Sequence, residues 1–177
     1  ILPLMTMRLF SEEKRQKTDQ ALLTSPVSLT GIVMGKFLAA MLVFSISLLL
    51  LIVFAMIIAF QVTPDWLVII GNYLGMFLLG GLVISIGLLI SSLTESQLIA
   101  AIGTLGISFM LILMDGLASQ FSNLTILSSV INFLSVSQRY STFTSGIIAY
   151  DNIIFFLSMQ ALFLFLTVRV LDRKRWS

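Results

Sequence analysis

Long uncharged apolar stretches, separated by short polar breaks, dominate this chain. A helix needs about 20 mostly apolar residues to cross a bilayer. Residues 37–60 and 66–90 carry no charge at all, 98–114 is a shorter apolar run, and 150–169 completes the series. Bulky apolar residues surround each segment instead of forming one stripe, the pattern of a helix in lipid. Open strands are excluded at that depth, because their edges would leave backbone groups unpaired in hydrocarbon. The pattern predicts an all-α fold: a polytopic membrane helix bundle, one domain over 1–177, with four complete transmembrane helices. Ile1 to Met7 is also apolar and reads as the end of a longer hydrophobic helix.

The breaks add detail. Residues 61–65 form a tight turn with Pro64, and 91–97 a short one with Glu95. Asp115 reads as an interfacial residue ending the third span. Residues 118–148 are neither a plain loop nor a span. Their apolar run, Leu124 to Val136, is interrupted by Ser128, Ser129, Asn132 and Ser135. At about 13 residues it is too short to cross, which predicts a re-entrant or interfacial helix on the outer side.

Charge then orients the bundle. Arg8, Lys14, Arg15, Lys17 and Lys36 precede or open the first complete span, and Arg169, Arg173, Lys174 and Arg175 close the last. With four spans these nine share one face, and Arg139 alone lies opposite. The positive-inside rule makes the shared face, and the C-terminus, cytoplasmic. Asp65, Asp115 and Asp151 fall on or near the outer side, and no spacing fixes which of them Arg139 meets.

Between the cytoplasmic charges and the first complete span lies the most structured polar stretch. Ser11 is placed to cap a helix whose first turn holds Glu12 and Glu13, favourable to the helix dipole. Glu13 and Lys17 are four apart, as are Arg15 and Asp19. Thr24, Ser25 and Pro26 stop the helix after Leu22 and Leu23. Ser28 can cap a second helix that climbs through Gly31 and Gly35. A docking helix lying along the membrane surface, covering 11–26, follows from these signals, against the plainer reading of a solvated charged loop.

The run Glu12-Glu13-Lys14-Arg15-Gln16-Lys17-Thr18-Asp19-Gln20-Ala21-Leu22-Leu23-Thr24-Ser25-Pro26, followed by Gly35-Lys36, resembles the coupling segment of ABC-2-type transporter permeases. Within them it is most similar to the gliding-motility and nitrous-oxide-reductase-associated permeases. Tyr150-Asp151 opening the last span, and the closing Asp172-Arg173-Lys174-Arg175-Trp176, resemble that subfamily too. The resemblance implies a six-helix permease of the bacterial inner membrane, of which this chain holds the last four helices. It implies a second permease subunit, homo- or heterodimeric, and separate ABC ATPase subunits that bind ATP and Mg. Glu12, Glu13, Lys14, Arg15, Lys17, Thr18, Leu22, Leu23 and Pro26 would then couple ATPase closure to the spans. Export is the family's usual direction.

Composition narrows the rest. Apolar residues make up 58% of the chain and charged ones 10%, against roughly 25% charged in soluble domains. A soluble globule, a disordered chain and a nucleic-acid binder are excluded. Cys and His are absent, which removes disulfides, Cys or His metal sites and Ser–His or Cys chemistry. Gly35-Lys36-Phe37 lacks the glycine spacing and hydroxyl of a phosphate loop, so ATP and Mg are expected on the partner and no cofactor in this chain. Gly71, Gly75, Gly80 and Gly81 let helices approach closely in the membrane, within one subunit or at a dimer seam. Hydroxyls such as Ser45, Ser47, Ser85, Ser91, Ser92 and Thr104 usually bond back to their own helix. Phe, Leu and Met would line a path for hydrophobic or amphipathic cargo, surrounded by membrane lipid. The rivals are an ion-coupled carrier or channel and a membrane-embedded enzyme. A carrier or channel needs ionisable groups in the spans, and the first two complete spans have none. An enzyme needs convergent catalytic side chains, and no such set is visible.

Overall fold

A computed structural model describes residues 2–6, 8–15, 28–60, 65–120 and 135–175. All regular structure among them is helical: α1 (Leu2–Thr6), α2 (Arg8–Arg15), α3 (Leu29–Ala59), α4 (Trp66–Leu93), α5 (Gln97–Gln120), α6 (Val136–Thr144) and α7 (Tyr150–Arg175). Three of these, α3, α4 and α7, are long and apolar enough to cross a membrane, and α5 carries a shorter apolar stretch, Gln97–Leu113.

The long helices overrun the apolar segments that foretell them. α3 begins eight residues before position 37, because the Ser28 hydroxyl accepts from Gly31 N–H at 3.3 Å and the turn propagates without a break. Its 31 residues span about 46 Å, so one end must project beyond a hydrocarbon core of about 30 Å. α5 continues through Asp115 to Gln120, so that aspartate does not end the helix. Hydrophobicity stops near Met114, but backbone bonding does not depend on it. Asp65 caps α4 through Leu67 N–H. The segment Leu124 to Val136 lies outside the described residues except for its last two.

α4 is the hub. It packs against each of the other six described helices. Within its most apolar window 72% of residues are buried, against 22% in α3 and 28% in α7. The outer two therefore present their apolar faces to the surroundings. Small residues make this centrality workable. A Cβ at Gly71 would strike the Phe143 carbonyl of α6, and one at Gly75 would sit 2.9 Å from the Phe143 side chain. At Gly80 it would strike the Phe44 ring of α3. At Gly81 it would lie 2.8 Å from the Gln160 amide of α7, and at Gly87 it would strike the Thr6 side chain of α1. Each glycine in this series admits a neighbour from within the same chain.

Two apolar clusters divide the interior. One gathers Phe10, Leu29, Val33, Phe37, Leu88 and Leu171 where α2, α3, α4 and α7 converge. The other gathers Leu78, Leu82, Val136, Phe143 and Phe156 toward the opposite end. Buried Gln160 donates to the Leu78 carbonyl at 2.9 Å, satisfying a polar side chain that would be costly if left alone. α6 closes the far end with a Schellman turn. Gly146 adopts φ 76°, and Gly146 and Ile147 N–H donate to Phe143 and Thr142 carbonyls. Arg139 donates to Asn152 Oδ1 at 3.1 Å and its guanidinium stacks 4.2 Å from the Phe155 ring.

Substitution at the tightest contacts should register as lost stability. Gly87→Ala, which drives a methyl into Thr6, should cost about 1–3 kcal/mol by overpacking. Gly106→Ala, where nothing lies within 4 Å, should be neutral or gain up to about 1 kcal/mol. Thermal unfolding in detergent, followed by circular dichroism, measures both.

Candidate functional site

α2, the start of α3 and the end of α7, which carry Arg8, Lys36, Arg169 and Arg173, share one apolar cluster with α4. α2 starts at Arg8, so Ser11 lies inside the helix and does not cap it. Glu12 and Glu13 accordingly sit past the first turn. A contact also reaches α2 from 80 residues away. Buried Ser91 of α4 accepts from Phe10 N–H at 3.0 Å and from Ser11 N–H at 2.9 Å. One hydroxyl of the hub thus holds two successive backbone N–H groups of α2.

A second attachment comes from α3. The Lys36 ammonium pairs with Glu13 at 2.6 Å, donates to the Leu9 carbonyl and stands 4.2 Å over the Phe10 ring. Both charged side chains are half-buried, so the pair is better shielded from water than a surface pair and less weakened by salt. Phe10, only 3% exposed, inserts into the cluster formed with Leu29, Val33 and Phe37. Hydrogen bonds, an ion pair and an aromatic anchor together fasten α2 to two different long helices. Such an attachment can carry force, because α2 cannot shift without moving Ser91 and Lys36.

Of the residues that the coupling resemblance singles out, Glu12 and Glu13 lie half-buried on α2. Lys14 and Arg15 continue the same helix. Lys17, Thr18, Leu22, Leu23 and Pro26 fall outside the described residues. Gly71, Gly75, Gly80 and Gly81 are buried on α4, remote from α2. The structure thus joins Glu13 to Lys36 and leaves the glycines as helix contacts elsewhere. Ser91 is the functional candidate that local reasoning passes over. Ser45, Ser47, Ser85, Ser92 and Thr104 do bond back to their own helices, and Ser91 in addition accepts from another helix. Its only sequence signal is a paired serine at the end of a span.

Comparison with known proteins agrees with this arrangement. A family model described as ABC-2 family transporter protein matches residues 3–176. The chain belongs to the ABC-2 transporter family. It is a membrane protein of the ABC-transporter permease type, a class that works with ATPase subunits. No curated protein and no solved structure matches it.

Removing the Ser91 hydroxyl isolates its contribution. Ser91→Ala removes the two buried hydrogen bonds it accepts from α2, and the loss should be about 1–3 kcal/mol. Hydrogen exchange read by mass spectrometry should show faster exchange in α2 while α4 stays protected.

Proposed function

We propose that this ABC-2 permease chain works as one half of an exporter for a hydrophobic or amphipathic molecule, within the gliding-motility and nitrous-oxide-reductase-associated subfamily. Four helices, α3, α4, α5 and α7, cross the bacterial inner membrane. The end holding α2 and the C-terminus faces the cytoplasm, as its basic residues favour. Two such subunits pair and stand on separate ATPase subunits, which bind ATP and Mg.

The observation that carries this reading is the double fastening of α2, by Ser91 to α4 and by Lys36 to α3. A surface helix that only decorated a loop would need neither. When the ATPase dimer closes, its push on α2 passes to α4 through Ser91 and to α3 through Lys36. Because α4 touches every other described helix, a tilt of α4 is felt throughout the bundle and opens the outer side. The subfamily assignment and the direction of transport rest on the coupling-segment resemblance, and the cargo class on the apolar lining.

The test combines co-purification with reconstitution. An ATPase should co-purify with the tagged chain. Glu13→Lys places a second cation beside Lys36. A single charge on the contact surface is worth about 0–1 kcal/mol, so ATPase association should survive. Transmission should not: cargo-stimulated hydrolysis and transport in vesicles should fall about tenfold or more, the loss of a partly buried pair. Gln138→Ala, exposed on α6 at the far end, should behave as wild type. Wild-type transport by Glu13→Lys would reduce α2 to a solvated loop.

A further inference from the structure

A cleft of about 440 Å³ runs between α3 and α7 on the outside of the bundle. Its walls are apolar, formed by Val33, Met34, Leu164 and Phe165 among others, and its mouth holds Thr30, Arg169 and Asp172. It is separate from the Ser91 and Lys36 attachments. From the geometry of its mouth we infer that it holds one resident bilayer phospholipid with a zwitterionic phosphoethanolamine head.

Length points first to a lipid. On α7 the lining extends from Leu157 to Asp172, about 22 Å along a helix. Half the thickness of a bilayer with its headgroup zones is likewise about 20–22 Å. The cleft therefore spans one leaflet, with its charged end at the basic end of the bundle and its apolar end near the midplane.

Charge selects the head. Arg169 and Asp172 sit one helical turn apart, yet among the described residues neither is ion-paired. The Arg169 guanidinium instead lies 5.1 Å over the Phe165 ring, on the cleft wall. Charges at a membrane boundary are normally paired or hydrated. A guanidinium binds phosphate by charge-assisted hydrogen bonds, and the Thr30 hydroxyl adds a donor. Asp172 would repel a head carrying only negative charge and attracts a primary ammonium. Phosphoethanolamine carries both charges a few atoms apart and satisfies both side chains. A phosphoglycerol head satisfies only Arg169.

The test is native mass spectrometry of the whole chain extracted from vesicles of equal phosphatidylethanolamine and phosphatidylglycerol. The wild type should retain one lipid, with phosphatidylethanolamine enriched about tenfold, as expected for one charge-assisted contact. Asp172→Asn should bring the two lipids to parity, with total retention little changed. Arg169→Ala should lose most of both. Ala161→Phe, which fills the cleft without changing charge, should also lose both. Circular dichroism melting separates lost binding from lost folding, and Asp172→Asn, nearly isosteric, decides if a bulkier variant fails to fold. A wild type without retained lipid, equal retention of both heads by the wild type, or an unchanged preference in Asp172→Asn would overturn the inference. None of these readouts depends on transport, so the site can fail while the permease reading stands, and the reverse.

Discussion

Two helices in lipid gain little from hydrophobic exclusion, because the surrounding tails are as apolar as leucine. Close fit has to supply the attraction instead, and close fit needs small residues. In this chain α4 supplies them, with Gly71 and Gly75 under α6, Gly80 under Phe44, Gly81 under Gln160 and Gly87 under Thr6. The other helices are seated on one surface, and their mutual positions follow from where that surface dips. α4 touches each of the other described helices, so displacing it disturbs a contact of every one.

The same constraint shapes the polar chemistry. A buried donor without a partner is costly in a low-dielectric interior, so the few polar groups inside are placed where they complete one another. Gln160 answers the Leu78 carbonyl across a helix crossing. Ser91 answers the buried Phe10 and Ser11 N–H groups of α2. Lys36 sits where an apolar span meets a polar helix, and its charge is balanced by Glu13 and softened by the Phe10 face. The Ser91 and Lys36 contacts tie α2, the helix proposed to meet an ATPase, to the long helices α3 and α4.

Much of the helical architecture was legible because apolar runs of spanning length are strong signals in a chain with so little charge. The helical class and three spanning-length helices follow from that pattern. The Ser28 cap of α3 was legible too, but the extent of apolarity did not mark the helix ends. α3 starts at Leu29 and α5 passes Asp115 because hydrogen bonding continues past the end of hydrophobicity. Ser11 followed by two glutamates carries the local marks of an N-terminus, yet Ser11 lies inside α2. Its backbone is held by a tertiary partner, Ser91, and no spacing rule connects residues 10 and 91. Sequence likewise places Arg139 on the far side without naming its partner. The structure supplies Asn152 and the Phe155 face, which no charge count could reveal.

The central claim is that α2 and the long helices move as one body. The chain has no cysteine, so a Cys pair can replace Glu13 and Lys36 and be joined by a short bis-thiol linker without background. The decisive quantity is ATP-driven transport in reconstituted vesicles, compared before and after the linker is closed. Rigid-body coupling predicts that the linked protein transports at least as well as the unlinked pair, because the covalent tie replaces the ion pair it removes. If closing the linker abolished transport while ATPase association persisted, α2 would have to detach from α3 during the cycle, and rigid-body coupling would be contradicted.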